Sequence, residues 1–424
     1  MISVRGVTRA ALLVSEVKEK KKNALSRCGT ARNSLMVFAA LVALGWSQGL
    51  LAVDIDHTTA TLTQERATLA ATSVGNYALF GGGSIVSYPY DTVDIYNAGT
   101  GKWTTANLSV ARESLAATSV GGYALFGGGH YDDQYVNTVD IFNAGTGQWT
   151  TTALSQERGF LAATSVGNFA LFAGGRDSTA MSNVVDIFNA GTGQWTTAAL
   201  SQARYYLAAT SAGHYALFGG GGNDTSQSNV VDIFDADTGH WSTATLSKAR
   251  AVLAATSVGN YALFAGGLDK SGVPSNTVDI FNAATGQWTT ATLTHAAAWM
   301  GATAAGSYAF FGGGWDGGAS NIVDIFDADT GQWSTTTLSQ SRDVLAATSV
   351  GNYALFAGGS PGPNAFSNVV DIYATPETAP VPEPVTMLGL FAGCGGLGVY
   401  LRKRRLAKPI VGGSGPSTQE GLGG

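Results

Sequence analysis

Aromatic rings and short carboxylates occur together at several places in this 424-residue sequence, and the combination suits the binding of sugars. Aromatic rings pack on the apolar C–H faces of sugars, and carboxylates accept hydrogen bonds from hydroxyl groups. Tyrosine and tryptophan also anchor protein–protein interfaces, so a protein ligand is the second possibility. The candidate ligand-binding residues are Tyr88, Tyr131, Asp132, Asp133, Phe160, Tyr205, Tyr206, Trp299, Trp315 and Asp316.

One group of residues could carry out acid–base catalysis, namely His130 with Asp132 and Asp133. Such catalysis needs groups within hydrogen-bond reach of one substrate proton, and here it would serve a carbohydrate-active lyase or hydrolase. The histidines are otherwise scattered without ligand spacing. Residues 358–362 (GGSPG) fit a nucleophile motif, but a proline-containing loop follows them instead of the helix that this motif needs. We therefore expect no metal and no cofactor, and we favour a binding protein over an enzyme.

The candidate residues belong to a sequence that repeats itself seven times. In residues 158–200, RGFLAATSVGNFALFAGG is followed by a variable loop and then by NVVDIFNAGTGQWTTAAL. Each copy holds four short runs of β-branched and aromatic residues separated by glycine-containing turns, which predicts four antiparallel strands. The central phenylalanine of the second run recurs at Phe80, Phe126, Phe172, Phe218, Phe264, Phe311 and Phe356. Radial repetition of such four-stranded blades predicts a β-propeller.

The order of motifs within each copy resembles the kelch repeat. In the copy above, Gly174 and Gly175 close the second run, Phe188 ends the third, and Trp195 follows seven residues later. The resemblance covers residues 57–373, and the copies lack the Gly-His…Trp-Asp signature of WD40 repeats. It implies an all-β fold, a seven-bladed kelch-like propeller with four antiparallel strands per blade.

The two ends of the repeat region complement each other. The last copy stops at Tyr373 without a fourth strand, and residues 57–64 (HTTATLTQ) align with residues 333–340 (WSTTTLSQ). We therefore predict that the N-terminal strand at residues 57–62 completes the last blade and closes the ring, which removes an open sheet edge.

Two charged residue types recur so regularly that we expect structural roles for them. The aspartates should accept hydrogen bonds, and the arginines should bond to carbonyl groups or to these aspartates, with ligand binding by the arginines as the alternative. The aspartates are Asp94, Asp140, Asp186, Asp232, Asp279, Asp324 and Asp371. The arginines are Arg66, Arg112, Arg158, Arg204, Arg250 and Arg342, and the sixth copy has Ala297 instead.

Variation between the copies is concentrated in two places, the loop after the glycine pair and the two residues after each arginine. In an up-down-up-down blade, the connection from second to third strand and the connection to the next blade emerge on the same side. The candidate ligand-binding residues should therefore share one face, where loops on a rigid scaffold commonly bind ligands. The alternative is neutral divergence, with some aromatic side chains turned into the core.

The chain ends predict export and anchoring. Residues 1–52 read as a basic leader and signal peptide, with an uncleaved anchor as the alternative. Residues 53–375 form the propeller, 376–384 a proline-rich linker with a VPEP motif, and 406–424 a flexible Gly/Ser-rich tail. Residues 385–405 read as a transmembrane helix that ends in a basic stop.

The VPEP motif, the apolar span and the basic stop together resemble the PEP-CTERM sorting signal of Gram-negative bacteria. The resemblance implies recognition by an exosortase and delivery to the cell surface or the exopolysaccharide matrix, although the tail beyond Arg405 departs from the pattern. An ordinary stop-transfer anchor is the alternative. The motif residues are Val381, Pro382, Glu383, Pro384, Arg402, Lys403, Arg404 and Arg405.

The charge of the predicted propeller excludes one class of partner. Residues 53–375 contain 10 Lys and Arg against 24 Asp and Glu, which argues against nucleic acid. Both cysteines, Cys28 and Cys394, lie outside this region, so the propeller has no disulfide. The sequence thus predicts an exported, envelope-anchored or exopolysaccharide-associated binding or scaffold protein. The alternatives are a carbohydrate-active lyase or hydrolase on the same face, and an envelope spacer without a ligand.

Overall fold

The computed structural model describes residues 55–86 and 88–376, and its regular elements are β-strands. In this part of the chain no helix is long and apolar enough to cross a membrane. The predicted leader, anchor and tail, and the linker beyond Pro376, lie outside the described residues.

The strands form seven four-stranded antiparallel sheets, called blades 1 to 7 in chain order. The first strand of the chain is β1 (Asp56–Thr61). Blade 1 consists of β2 (Ala70–Val74), β3 (Tyr77–Gly81), β6 (Thr92–Asn97) and β7 (Lys102–Asn107), with the short hairpin β4 (Ser84–Ile85) and β5 (Tyr88–Pro89) in its loop. Blade 2 consists of β8 (Ala116–Val120), β9 (Tyr123–Gly127), β12 (Thr138–Asn143) and β13 (Gln148–Ala153), with the hairpin β10 (His130–Tyr131) and β11 (Gln134–Tyr135). Blade 3 consists of β14 (Ala162–Val166), β15 (Phe169–Ala173), β16 (Val184–Asn189) and β17 (Gln194–Ala199).

The remaining blades repeat this pattern. Blade 4 consists of β18 (Ala208–Ala212), β19 (Tyr215–Gly219), β20 (Val230–Asp235) and β21 (Trp241–Thr245). Blade 5 consists of β22 (Ala254–Val258), β23 (Tyr261–Ala265), β24 (Thr277–Asn282) and β25 (Gln287–Thr292). Blade 6 consists of β26 (Gly301–Ala305), β27 (Tyr308–Gly312), β28 (Ile322–Asp327) and β29 (Trp333–Thr337). Blade 7 contains β30 (Ala346–Val350), β31 (Tyr353–Ala357) and β32 (Val369–Ala374).

The predicted ring closure is confirmed, because β1 supplies the fourth strand of blade 7. It pairs antiparallel with β32, with His57 opposite Tyr373 and Thr61 opposite Val369. The His57 ring stacks on the Tyr373 ring at a centroid distance of 4.5 Å. Its Nε2 lies 2.7 Å from the carboxylate of Asp371. The first and last strands of the ring are thus joined by side chains as well as by the sheet.

The hydrophobic core lies between neighbouring blades. Leu171 and Val185 of blade 3, for example, pack with Phe218 of blade 4, and all three are fully buried. Alternate residues of each strand face opposite blades, so the apolar residues of every sheet are covered on both sides. The chain leaves the second strand through the glycine pair, at a point where the neighbouring blade is very close. Gly174 has a φ of +66°, and a Cβ there would lie 2.6 Å from the carbonyl oxygen of Arg204.

The repeated arginines and aspartates form buried ion pairs, as predicted. The closest nitrogen–oxygen distance is 2.6 Å between Arg66 and Asp94 and 2.8 Å between Arg112 and Asp140. The remaining pairs are Arg158–Asp186, Arg204–Asp232, Arg250–Asp279 and Arg342–Asp371.

Each aspartate also bonds to the segment that connects the preceding blade to its own blade. The second carboxylate oxygen accepts a backbone N–H from that connection, as in the bond from Ser109 to Asp140 at 3.1 Å. Burial lowers the pKa of each paired arginine, and its aspartate partly offsets the effect. Since both partners are buried and bonded, a ligand role for these arginines is not compatible with the structure.

Candidate ligand-binding face

A ring of seven residues surrounds the propeller axis on the variable face, and we call it the collar. Each collar residue lies two positions before the first strand of its blade and has a φ between 51° and 57°. The collar residues are Thr68, Ser114, Phe160, Tyr206, Val252, Trp299 and Val344. Each N–H donates to the carbonyl oxygen of the collar residue in the preceding blade over 2.9–3.3 Å, and the bond from Thr68 to Val344 closes the circle.

The collar backbone has a conformation that its residue types rarely adopt. A positive φ is uncommon for any residue except glycine, and a β-branched or bulky residue there is strained by about 1–3 kcal/mol. Glycine and asparagine, the residues that would indicate a positive φ, are absent from these positions, so the residue types do not predict this backbone conformation. The circle of hydrogen bonds holds the strained conformation and uses both main-chain groups of every collar residue. A ligand at the collar is therefore recognised by side chains.

The collar side chains line a cavity of about 280 Å³ at the centre of the face. Its floor is a ring of apolar side chains, each directly following a collar residue: Leu69, Leu115, Leu161, Leu207, Leu253, Met300 and Leu345. Two more cavities are lined by the first strands. One of about 250 Å³ is lined by alanines and by side chains of the floor, and one of about 260 Å³ by alanine, threonine and serine residues. The central cavity thus has an apolar floor and walls of mixed character.

One wall of this cavity is aromatic and extends outward over blades 2 to 4. The Phe160 ring lies 4.8 Å from the Tyr206 ring and 5.1 Å from the His130 ring, measured between centroids. Tyr205 packs beside Tyr206 at 4.9 Å, and Arg176 lies over the Tyr205 ring at 5.3 Å. Burial raises the pKa of Tyr206 to about 12, so its hydroxyl stays protonated at neutral pH and can both donate and accept. Together these rings form one contiguous aromatic cluster.

Beside this wall, a group of polar side chains joins blades 1 and 2, and sequence reasoning missed its main residue. Glu113 accepts hydrogen bonds from the hydroxyl groups of Thr68 at 2.7 Å and Ser84 at 2.5 Å, which link blade 2 to blade 1. A second carboxyl group that was missed, Asp343, is half-buried directly before the collar residue of blade 7. Burial raises the pKa of Asp343. Each of these residues occurs at its position in one copy only, so their isolation in the repeat was the available signal.

The structure brings together only some of the candidate residues. Phe160, Tyr206 and Trp299 line the cavity, Tyr205 packs on the first two, and Trp315 packs edge-on against Trp299 at 5.9 Å. The others are exposed on the outer loops: Tyr88, Tyr131, Asp132, Asp133 and Asp316. Contact between ligand and any of these residues stays a prediction.

The candidate catalytic group is not assembled in this structure. His130 Nδ1 lies 3.1 Å from the backbone oxygen of Asp132, and its ring packs between Tyr135 and Phe160. The carboxylates of Asp132 and Asp133 are on the exposed hairpin tip. His130 is therefore part of the aromatic wall, and the arrangement gives no support to acid–base catalysis.

A group of possible metal ligands lies at the turns on the opposite face, where residues 235–239 (DADTG) mimic the start of a calcium loop but no later glutamate completes the ligand set. One ligand atom each from His214, Asp235 and Asp237 falls within 4.8 Å of the others. Asp235 also accepts hydrogen bonds from the N–H groups of Asp237 and Thr238. Stabilisation of this turn is thus a sufficient reason for an aspartate at position 235.

Comparison with known proteins supports the repeat assignment. Residues 160–359 match the family model of the KLHDC2/KLHL20/DRC7 Kelch-repeats domain. A search of curated proteins finds no match. The matched region spans the collar residues of blades 3 to 7 and the glycine pairs that follow them. With its seven four-stranded blades, the protein has a kelch-like β-propeller, as the motif order predicted.

Proposed function

We propose that this protein is an exported kelch-type binding or scaffold protein whose collar and surrounding loops bind an extracellular polysaccharide. The observation that carries the proposal is the central cavity, which has an apolar floor and an aromatic wall and lies beside the carboxyl groups of Glu113 and Asp343. Loops and collar side chains differ from blade to blade around it, whereas the rest of the repeat is nearly constant. A constant frame with one variable face is typical of a binding scaffold.

The chemistry of the face favours a sugar over an extended peptide. Peptides commonly gain affinity by main-chain hydrogen bonds. The collar has no free main-chain groups for such bonds, because its N–H and carbonyl groups bond to one another around the circle. Sugars bind through ring stacking and through hydrogen bonds of their hydroxyl groups. The Phe160 and Tyr206 rings and the hydroxyl group of Ser114 in the cavity lining can make these contacts. The nearby Arg176 is itself paired with Asp224 at 3.4 Å, and the face is otherwise rich in carboxylates. A neutral polysaccharide therefore fits better than an acidic one.

Export to the envelope is supported by the sequence at both ends of the chain. The apolar run in residues 35–44 follows a basic segment, and the order of VPEP motif, apolar span and basic stop resembles a sorting signal. On this proposal an exosortase-type enzyme and the membrane are partners during sorting, and the mature propeller acts at the cell surface or in the exopolysaccharide.

Calorimetric titration with exopolysaccharide purified from the host tests the binding site. Trp299→Val removes a large ring from the cavity but keeps the fold, because valine takes the same φ at Val252 and Val344. We expect saturable heat with the unaltered protein and at least tenfold weaker binding with Trp299→Val. Asp329→Asn, an exposed change in a turn on the opposite face, should bind normally. Absence of heat with the unaltered protein would refute the glycan assignment and favour a surface-protein ligand.

A further inference from the structure

Six blades hold a guanidinium group in a cradle of oxygen atoms. In blade 3, Nη1 of Arg158 donates to the carbonyl oxygens of Gly174 at 3.0 Å and Val184 at 2.5 Å. Nη2 donates to the carbonyl oxygen of Phe172 at 3.2 Å and to the carboxylate of Asp186. The same four kinds of acceptor surround Arg204, Arg250 and Arg342.

Blade 6 has the acceptors but not the arginine. Ala297 stands at the arginine position and is fully buried, and its methyl group donates no hydrogen bond. The corresponding acceptors are the carbonyl oxygens of Phe311, Gly313 and Ile322 and the carboxylate of Asp324.

The main chain places these groups as it does in the other blades. The Ala297 N–H donates to the carbonyl oxygen of Ser275 over 3.1 Å, and the arginine N–H groups of the other blades donate to the equivalent carbonyl oxygens over 2.8–3.2 Å. Asp324 stands opposite Phe311 in the sheet, as every repeated aspartate stands opposite its phenylalanine. The oxygen cradle therefore persists although the side chain that fills it elsewhere is replaced.

The charge of Asp324 needs a partner. The residue is 1% exposed, and a buried carboxylate without a cation is unfavourable by several kcal/mol. Thr294 donates its hydroxyl to Oδ1 at 2.8 Å, and its N–H is shared between Oδ1 at 3.2 Å and Oδ2 at 3.3 Å. These donors are neutral, and Oδ2 is the oxygen that accepts from the guanidinium in the other blades. The nearest basic atom is Nδ1 of His295, 3.7 Å from Oδ2 and beyond hydrogen-bond distance.

We propose that blade 6 binds a monovalent cation of the size of potassium in this cradle, in the position that the guanidinium takes in the other blades. Three neutral carbonyl oxygens and one carboxylate balance a single positive charge. Ca²⁺ and Mg²⁺ bind oxygens at about 2.3–2.6 and 2.0–2.1 Å. These distances are shorter than most of the 2.5–3.5 Å distances from guanidinium nitrogens to carbonyl oxygens in the cradles that hold arginine. Backbone carbonyl oxygens are the ligands that replace the hydration shell of K⁺ in channels.

Thermal unfolding of the purified protein in potassium chloride and in tetramethylammonium chloride, at equal ionic strength and pH 8, tests this site. Tetramethylammonium is too large for the cradle and supplies the same chloride. We expect a saturable rise in Tm of roughly 2 °C or more in potassium, since a ligand that binds only the folded state stabilises it. Rubidium should give an anomalous scattering peak beside Asp324 in crystals.

Variants distinguish a bound cation from water and from a charged His295. Ala297→Arg supplies its own guanidinium, so it should raise Tm in both salts and abolish the potassium effect, whereas the neighbouring change Ala296→Arg should leave the effect intact. His295→Gln, which restores the residue type found at Gln156, should keep the potassium response. Equal Tm values in both salts would mean that water alone occupies the cradle and would overturn the proposal. A potassium response that appears only in His295→Gln would do the same, because it would make His295 the counter-ion of Asp324 in the unaltered protein.

Discussion

At the scale of single residues, the arginine–aspartate pairs show how a repeated charge becomes part of a core. Arg158 has no exposed surface, and its guanidinium satisfies three carbonyl oxygens as well as Asp186. A buried ion pair gains little over an apolar packing of the same volume, but removal of one partner leaves an uncompensated charge. The pair therefore acts mainly to fix how each connection enters its blade.

Replacement of one arginine should reveal this asymmetry. Arg158→Ala leaves Asp186 buried and unpaired, so we expect the free energy of unfolding to fall by about 3–5 kcal/mol. Arg176→Ala is the matched control, because its pair with Asp224 is solvent-exposed and such pairs contribute about 0–1 kcal/mol. Urea denaturation followed by circular dichroism gives both values. Similar losses in the two variants would contradict a special role for the buried pair.

At the scale of elements, β1 has an importance out of proportion to its six residues. It covers the outer edge of β32 and brings His57 onto Tyr373 and Asp371. Without it, blade 7 would have three strands and the ring would depend on contacts between neighbouring blades alone.

Shortening the N-terminus tests the closure. A version that begins at Ile55 keeps β1, and a version that begins at Thr63 lacks it. We expect the shorter version to lose its cooperative unfolding transition and to form oligomers, because β32 would then present an unpaired edge. Size-exclusion chromatography and thermal scans on both versions provide the comparison. A monomeric shorter version with an unchanged Tm would show that β1 is dispensable.

At the scale of the whole molecule, the sequences at the two ends of the chain carry our proposal that the acidic propeller is exported to the cell envelope. Fractionation of host cells that produce the tagged protein should find the propeller in the envelope or the extracellular matrix. Deletion of residues 381–405 removes the proposed sorting segment, so the propeller should then be recovered mainly from the periplasm or the medium. Deletion of residues 410–424, beyond the basic stop, serves as the control. Recovery of the intact protein from the cytoplasm would refute export.

The sequence predicted the frame of this molecule better than its site, and the reason is physical. A fixed repeat with strand and turn residues predicts blades, and the pairing of Arg158 with Asp186 follows from their shared period. The collar could not be predicted in this way, because Val252 and Trp299 have a left-handed backbone that neither residue type favours. Glu113 was missed because its importance depends on two hydroxyl groups, those of Thr68 and Ser84, that the fold brings to it from another blade.

The collar also makes this protein easy to diversify. Its circle of backbone hydrogen bonds already accepts threonine, serine, phenylalanine, tyrosine, valine and tryptophan at equivalent positions with nearly the same φ. Side chains at these seven positions can thus be exchanged, by natural selection or by library design, while the main chain stays in place. New ligand specificities would then arise by single substitutions, without loop insertions. Several of the seven collar positions could be substituted in the same protein.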